Sequence, residues 1–390
     1  MKRSTDRILT THTGSLPRPH EILETMRLRE AGKPYDENAY EDAITRNVAD
    51  IVRRQAQAGI DVVNDGECSK PSFTAYLSER LGGFEPRIPA GGVPAAGPID
   101  PNGRDAVLFP DYYKLVMENS PFANVVRVVP RVCTGPIRYI GHKPLARDIA
   151  NLKRAISQSR VEEAFLPAAG PVPSLANEYY ASEEEYEAAY ADAMREEYKA
   201  ILDAGLLLQI DYPRLVSSWD SRKGLSIAEY RKWAEGRVEV VNHALRDLPE
   251  ERIRFHTCYG VNFGPRVSDL QLADIIDIIF RIKAGSYSFE AANPRHDHEW
   301  RVPQKIRIPE GKIIIPGVVT HSNVMIEHPE LVADRIERWA RSAGRENILV
   351  GNDCGFQSTA GNTEIPMSVA WAKLEALGAG ARIASKRLWS

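Results

Sequence analysis

Cysteine is scarce in this chain: four in 390 residues, too few for a disulfide-stapled scaffold. The continuous apolar core of a signal peptide is also missing, since the N-terminus reads MKRSTDRILTTHTGSLPRP. A reduced, cytoplasmic protein is expected, in which the cysteines are free to be ligands, nucleophiles or core residues. No apolar run approaches the roughly 18 to 20 residues that a membrane span requires. Charge of one sign is not in excess: 50 Lys and Arg against 53 Asp and Glu leave a net charge of −3. That balance offers no electrostatic footprint for nucleic acid or an anionic membrane surface, so a small-molecule partner is expected. No G-x-G-x-x-G follows a run that reads as a strand, which removes the usual signature of a dinucleotide site.

What is present is an ordinary globular composition, 43% apolar and 26% charged, long enough to bury a sizeable core. Short apolar, β-branched runs alternate with amphipathic helical stretches, the pattern of βα units around a parallel sheet. Eight such runs lie at residues 8–15, 60–67, 164–170, 206–211, 253–258, 286–290, 313–320 and 348–354. Eight strands predict a single α/β domain over residues 1–390, a (β/α)8 TIM-type barrel. Helical faces are legible between them. Ile44, Val48, Ile51 and Val52 share one that ends at Gly59, and Val332, Ile336, Trp339 and Ala340 line another stopped at Gly344. Ser182 is placed to cap a helix whose first turn is Glu183, Glu184 and Glu185, favourable against the positive end of its dipole. Residues 86–104 are dense in Pro and Gly and predict an exposed loop, and the alternating segment 125–139 predicts a hairpin. Together they form an insertion at about 86–141, after the second strand.

His256 and Cys258 lie two apart in IRFHTCYG, a spacing that on a strand points both side chains to one side of the sheet. Alone, such a pair is more often a packed Cys beside a hydrogen-bonded His. Its companions change the weighting: Glu290 ends the next strand, Cys354 ends the last, and in a parallel barrel the carboxyl ends of all strands face one rim. One imidazole, two thiols and one carboxylate are a donor set that Zn²⁺ accepts. Ligands supplied one strand at a time, rather than as C-x-x-C pairs on loops, suit a catalytic site. With both thiols ionised the centre carries about −1 charge, so a bound substrate thiol would ionise and stay nucleophilic.

These residues resemble a family, the C-terminal catalytic barrel of cobalamin-independent methionine synthase, in the uroporphyrinogen decarboxylase and methionine synthase-like group, with the related single-barrel epoxyalkane:coenzyme M transferases. The likeness spans nearly the whole chain. It includes HTGSLPRP at 12–19, NDGECSKPSFTAYLSERLGGFE at 64–85, QIDYP at 209–213, HTCYG at 256–260, Glu290, Thr320-His321-Ser322 and NDCGF at 352–356. The resemblance implies that His256, Cys258, Glu290 and Cys354 are zinc ligands. It also implies that Ser15 contacts the carboxylate of homocysteine and that Glu67 and Asp211 hold its ammonium. Pairing with an Arg is the structural alternative for those two acids. His321 matches the acid that protonates the departing nitrogen of methyl-folate.

Some positions depart from the pattern. The family's Gly-Pro-Val strand is followed by a Trp that stacks on the pterin, and here Asn177 stands at its place. Losing the ring forfeits stacking worth about 1 kcal/mol or more. The family's DEPA reads Asp211-Tyr212-Pro213-Arg214, so Tyr212 alters the donor side of the pocket, and Arg214 could grip an anion if it faces inward. His296 and His298 follow Glu290, with supporting roles at the rim favoured over a second metal site, and Cys68 and Cys133 match no ligand position.

The function expected from all this is zinc-dependent methyl or alkyl transfer to a small, homocysteine-type thiol. The donor is left open among a folate, a methyl-corrinoid, an epoxide and a methylated phenol. The alternative is epoxide opening by a zinc-bound thiolate such as coenzyme M, and a third reading is a thiol- or corrinoid-binding module without turnover.

Overall fold

The computed structural model describes residues 1–88, 100, 102–120, 122–260 and 264–390. Seven strands, Val62–Val63, Glu163–Ala169, Leu207–Asp211, Ile253–His256, Ser286–Phe289, Ile313–Val319 and Gly351–Asn352, pair in that order. Every neighbouring pair is parallel. The first expected strand closes the ring: Thr10 bridges Val350 and Thr11 bridges Val62, both parallel. All eight apolar runs thus become staves of one TIM-type barrel, because their alternation serves two cores at once. Leu207, Ile313 and Ile315 point inward with Leu9, Val62, Phe165 and Leu349 as a plug. Their neighbours Leu208 and Ile314 point outward under the helices.

The Glu37–Ala58 helix carries the buried face Ile44, Val48, Ile51 and Val52, starts on the Asp36 side chain and stops at Gly59 in the left-handed region, φ 84°. Ser182 Oγ accepts from Glu185 N at 3.2 Å and starts the Glu183–Asp203 helix. The Pro329–Ala343 helix ends at Gly344. Among the described residues no helix is long and apolar enough to cross a membrane.

The expected hairpin within 125–139 is corrected. Arg131–Tyr139 is one nine-residue strand, and its antiparallel partner is Leu81–Pro86, in front of the insertion, with Leu81 opposite Tyr139. Ala176–Asn177 adds a third, parallel strand. The alternation was legible, but an unbroken strand has no room to turn on itself, and its backbone groups must find a distant ladder. Two short helices, Arg104–Leu108 and Pro110–Glu118, fill part of the intervening chain. Residues 89–99 and 101 of the expected Pro- and Gly-rich loop lie outside the described residues.

Candidate metal centre and substrate pocket

Along the Leu207–Asp211 strand the inward positions run Leu207, Gln209, Asp211, from apolar plug to polar rim. The Ile253–His256 strand lies in register beside it, with Asp211 opposite His256. Cys258 continues two residues past His256. The Gly351–Asn352 strand leads into Cys354 from the other side of the mouth. His256, Cys258 and Cys354 are all buried and each offers a ligand atom within 4.8 Å of the other two. Cys354 Sγ is 3.1 Å from Cys258 Sγ and 4.0 Å from His256 Nε2. Burial holds the His256 imidazole down to about 3, so it is neutral, the form that ligates a metal. The hydrogen bond shared with Cys258, then burial, pushes the Cys354 thiol well above its usual range. His256 Nδ1 is buried without a hydrogen-bond partner among the described residues. A neutral imidazole with an orphaned nitrogen beside two thiols is a donor set fitted to a soft divalent cation.

The structure brings three of the four expected ligands together and places Glu290 in an adjoining buried group with His321 and Asp353. Glu290 accepts from Tyr259 N at 2.8 Å, from Arg266 at 2.8 Å and from Asn293 Nδ2 at 3.0 Å. Asp353, which sequence reasoning passed over although it lies inside NDCGF, accepts from the backbone N–H of Ala291 and Ala292, both at 2.7 Å. Burial, then the neighbouring Glu290, raises its carboxyl. Burial pushes His321 down to about 4, partly offset by Asp353, so it is neutral at pH 7. Arg266 was also missed. It sits in a loop with no sequence pattern, at φ 57°, and only folding brings it to Glu290.

A cavity of about 780 Å³ opens onto this centre, and Ser15, Glu67, Asp211, His256, Cys258 and Cys354 all line it. Glu67 is held in the left-handed region, φ 53°, by a turn in which Asp65 Oδ1 accepts its N–H at 2.9 Å. Its Oε2 is buried without a hydrogen-bond partner among the described residues. Asp211 accepts from Gln209 Nε2 at 2.8 Å. Burial, then the charge of Glu67, raises the Asp211 carboxyl well above the carboxylate range. Lys70 opposes that only in part, and its ammonium donates to the Pro167 carbonyl at 2.5 Å. Two buried carboxylates facing one space favour a cationic guest. Ser15 lies against Gly355, where a Cβ would collide with its hydroxyl.

Tyr212 does not line that cavity. It is buried against Gly170, where a Cβ would come within 2.7 Å of its own, and it borders an adjoining side pocket of about 210 Å³. Asn177 offers no platform: its Oδ1 accepts from the N–H of Tyr179 and Tyr180, and its amide donates to the Tyr180 carbonyl at 2.9 Å. His296 is clamped between Asp269 at 3.1 Å and Glu299 at 3.0 Å. Cys68 and Cys133 are buried and belong to neither ligand group.

The chain is similar to known proteins over most of its length. Residues 8–97 and 129–373 match the family model described as cobalamin-independent synthase, catalytic domain. A methionine synthase from Sulfolobus acidocaldarius is 25% identical over 381 residues, covering 97% of this chain and 93% of that protein. One from Thermococcus kodakarensis is 27% identical over 353 residues, covering 89% and 86%. In fold, the chain is similar to a B12-independent methionine synthase from Shewanella sp. W3-18-1, solved with selenomethionine, at a TM-score of 0.69 and 19% identity, covering 98% of this chain and 99% of that one.

Proposed function

The chain belongs to the family of cobalamin-independent synthase catalytic domains, and on that footing we propose that it is a zinc-dependent methyltransferase whose acceptor is a small, homocysteine-type amino thiol. The observation that carries this reading is the shared cavity: two thiols and a neutral imidazole line it, and so do the two buried carboxyl groups of Glu67 and Asp211. His256, Cys258 and Cys354 would hold the ion, with Glu290 the carboxylate at hand. When bound, Zn²⁺ lets a thiol ionise near neutral pH while its sulfur keeps its nucleophilicity.

The chain's own residues do the rest. Glu67 and Asp211 take the ammonium by charge-assisted hydrogen bonds, and Ser15 donates to the carboxylate. This fixes the sulfur toward the metal ligands and converts an encounter into a positioned reaction. In the transfer a sulfur–carbon bond forms, the bond from the methyl carbon to its leaving atom breaks, and the thiol proton ends on that leaving atom. His321, neutral in the free protein and buried with Glu290 and Asp353, would receive the proton and hand it on. The same carboxylate pair disfavours the coenzyme M alternative, because a sulfonate would meet two like charges.

Metal analysis and an acceptor panel test the reading. About one zinc per chain is expected, with homocysteine alkylated in preference to coenzyme M. Protein that retains no metal after purification without chelators, or that prefers the sulfonate thiol, would overturn it.

A further inference from the structure

The side pocket beside the main cavity shares Asp211 with it, and its wall carries two arginines. Phe73, Val128, Pro130 and Leu175 border both it and the main cavity, and so does Arg214. Phe73 is half-buried and Leu175 is 39% exposed, so apolar surface stands open at the junction. Arg214 is exposed, and among the described residues it has no carboxylate within ion-pair distance and no hydrogen-bond partner. Arg131, on the same wall, spends its donors on the carbonyls of Ser78 and Phe84 and likewise lacks a carboxylate partner. Two guanidinium groups therefore flank a largely apolar recess, and among the described residues neither has a carboxylate within ion-pair distance. The acid on this wall, Asp211, is turned to Gln209 and Glu67.

We propose that this side pocket binds the leaving-group half of the methyl donor, that the donor is a small anion of one-ring size such as a methoxybenzoate, and that Arg214 selects it by pairing with its carboxylate. The proposal rests on the thiol-methylation reading above. Size limits the class: about 210 Å³ is below the range of sites that enclose drug-sized ligands, so it admits one substituted ring and not a corrinoid. Charge fixes the other end, since a planar guanidinium pairs with a carboxylate through two parallel hydrogen bonds. In the reaction the aryl-oxygen-to-methyl bond breaks, the sulfur–methyl bond forms, and the thiol proton passes to the oxygen. A thiol and a methoxybenzoate thus give a methyl thioether and a hydroxybenzoate with no other reactant.

Calorimetric titration of the zinc-loaded protein with 4-methoxybenzoate tests the site apart from turnover. Binding should weaken at least tenfold for the neutral analogue 4-methoxybenzyl alcohol, and at least tenfold in Arg214→Ala or Arg214→Gln. Both variants should melt like the parent because the side chain is exposed. With homocysteine added, 4-hydroxybenzoate and methionine should appear in equal amounts. Equal affinity for acid and alcohol, or unchanged affinity in both variants, overturns the proposal. So does methylation of homocysteine by methyltetrahydrofolate or methylcobalamin at a rate the variants leave unaltered, a result that keeps the thiol reading intact. Failure of zinc or homocysteine to bind would instead remove the thiol reading, while Arg214-dependent binding of the anion would still support the pocket.

Discussion

Cys258 and Cys354 stand 96 positions apart in the chain, yet their sulfurs lie 3.1 Å from one another. On the zinc reading the two thiols share one ion, and replacing either removes half of the sulfur donors. Cys258→Ser and Cys354→Ser should each lower zinc affinity at least 100-fold, read by competition with a chelating dye. Chelator should lower the Tm of the parent protein, because a ligand that binds only the folded state stabilises it, and should leave the variants unmoved.

The mutual repulsion of Glu67 and Asp211 predicts a trade between stability and binding. The Asp211 carboxyl is raised in the folded protein by burial and by Glu67, so the folded state takes up its proton more readily than the unfolded one. Stability is then lost as pH climbs from the ordinary value of 3.8 through the raised one. Asp211→Asn keeps the acceptor for Gln209 and removes the charge. It should stabilise the protein at pH 7 by about 1 kcal/mol and raise KM for homocysteine at least tenfold, by loss of a charge-assisted hydrogen bond. A variant with parental KM would show that this acid does not hold the ammonium.

His296 sets a stability slope of opposite origin. Burial alone would lower it, but hydrogen bonds to Asp269 and Glu299 outweigh that and raise it from 6.5 to about 9. Its ring also stacks on Tyr259 at 3.9 Å. A raised histidine stabilises fully below its unfolded value of 6.5, and the contribution disappears as pH rises through about 9. Denaturant unfolding at pH 6 and pH 9.5 should differ by on the order of 2 kcal/mol more in the parent than in His296→Asn. Equal slopes in the two proteins would show that His296 is not charged in the fold.

Much of this was open to reading from composition and spacing. The eight strands announced themselves by alternation, since a stave that serves an inner plug and an outer helical layer must be apolar on both faces below the rim. The candidate ligands His256, Cys258 and Cys354 could be placed at strand ends by counting, because parallel strands deliver their carboxyl ends to one mouth. The hairpin was not legible: Arg131–Tyr139 carries the signature of a strand but nothing that names Leu81–Pro86 as its partner. Glu290 shows the same limit, since no spacing reveals that Arg266, in an irregular loop, will meet it.

By itself the sequence determined the barrel, the rim on which the candidate site lies, and the residue types gathered there, because those follow from periodicity and chain direction. Tertiary structure alone decided which side chains touch. It joined Glu290 to Arg266, set Asp211 beside Glu67, turned Asn177 back on its own loop and, among the described residues, left Arg214 without a counter-ion at the edge of a recess. Contacts between residues remote in the chain depend on how loops pack over the rim, and loops carry no repeat from which their partners could be counted.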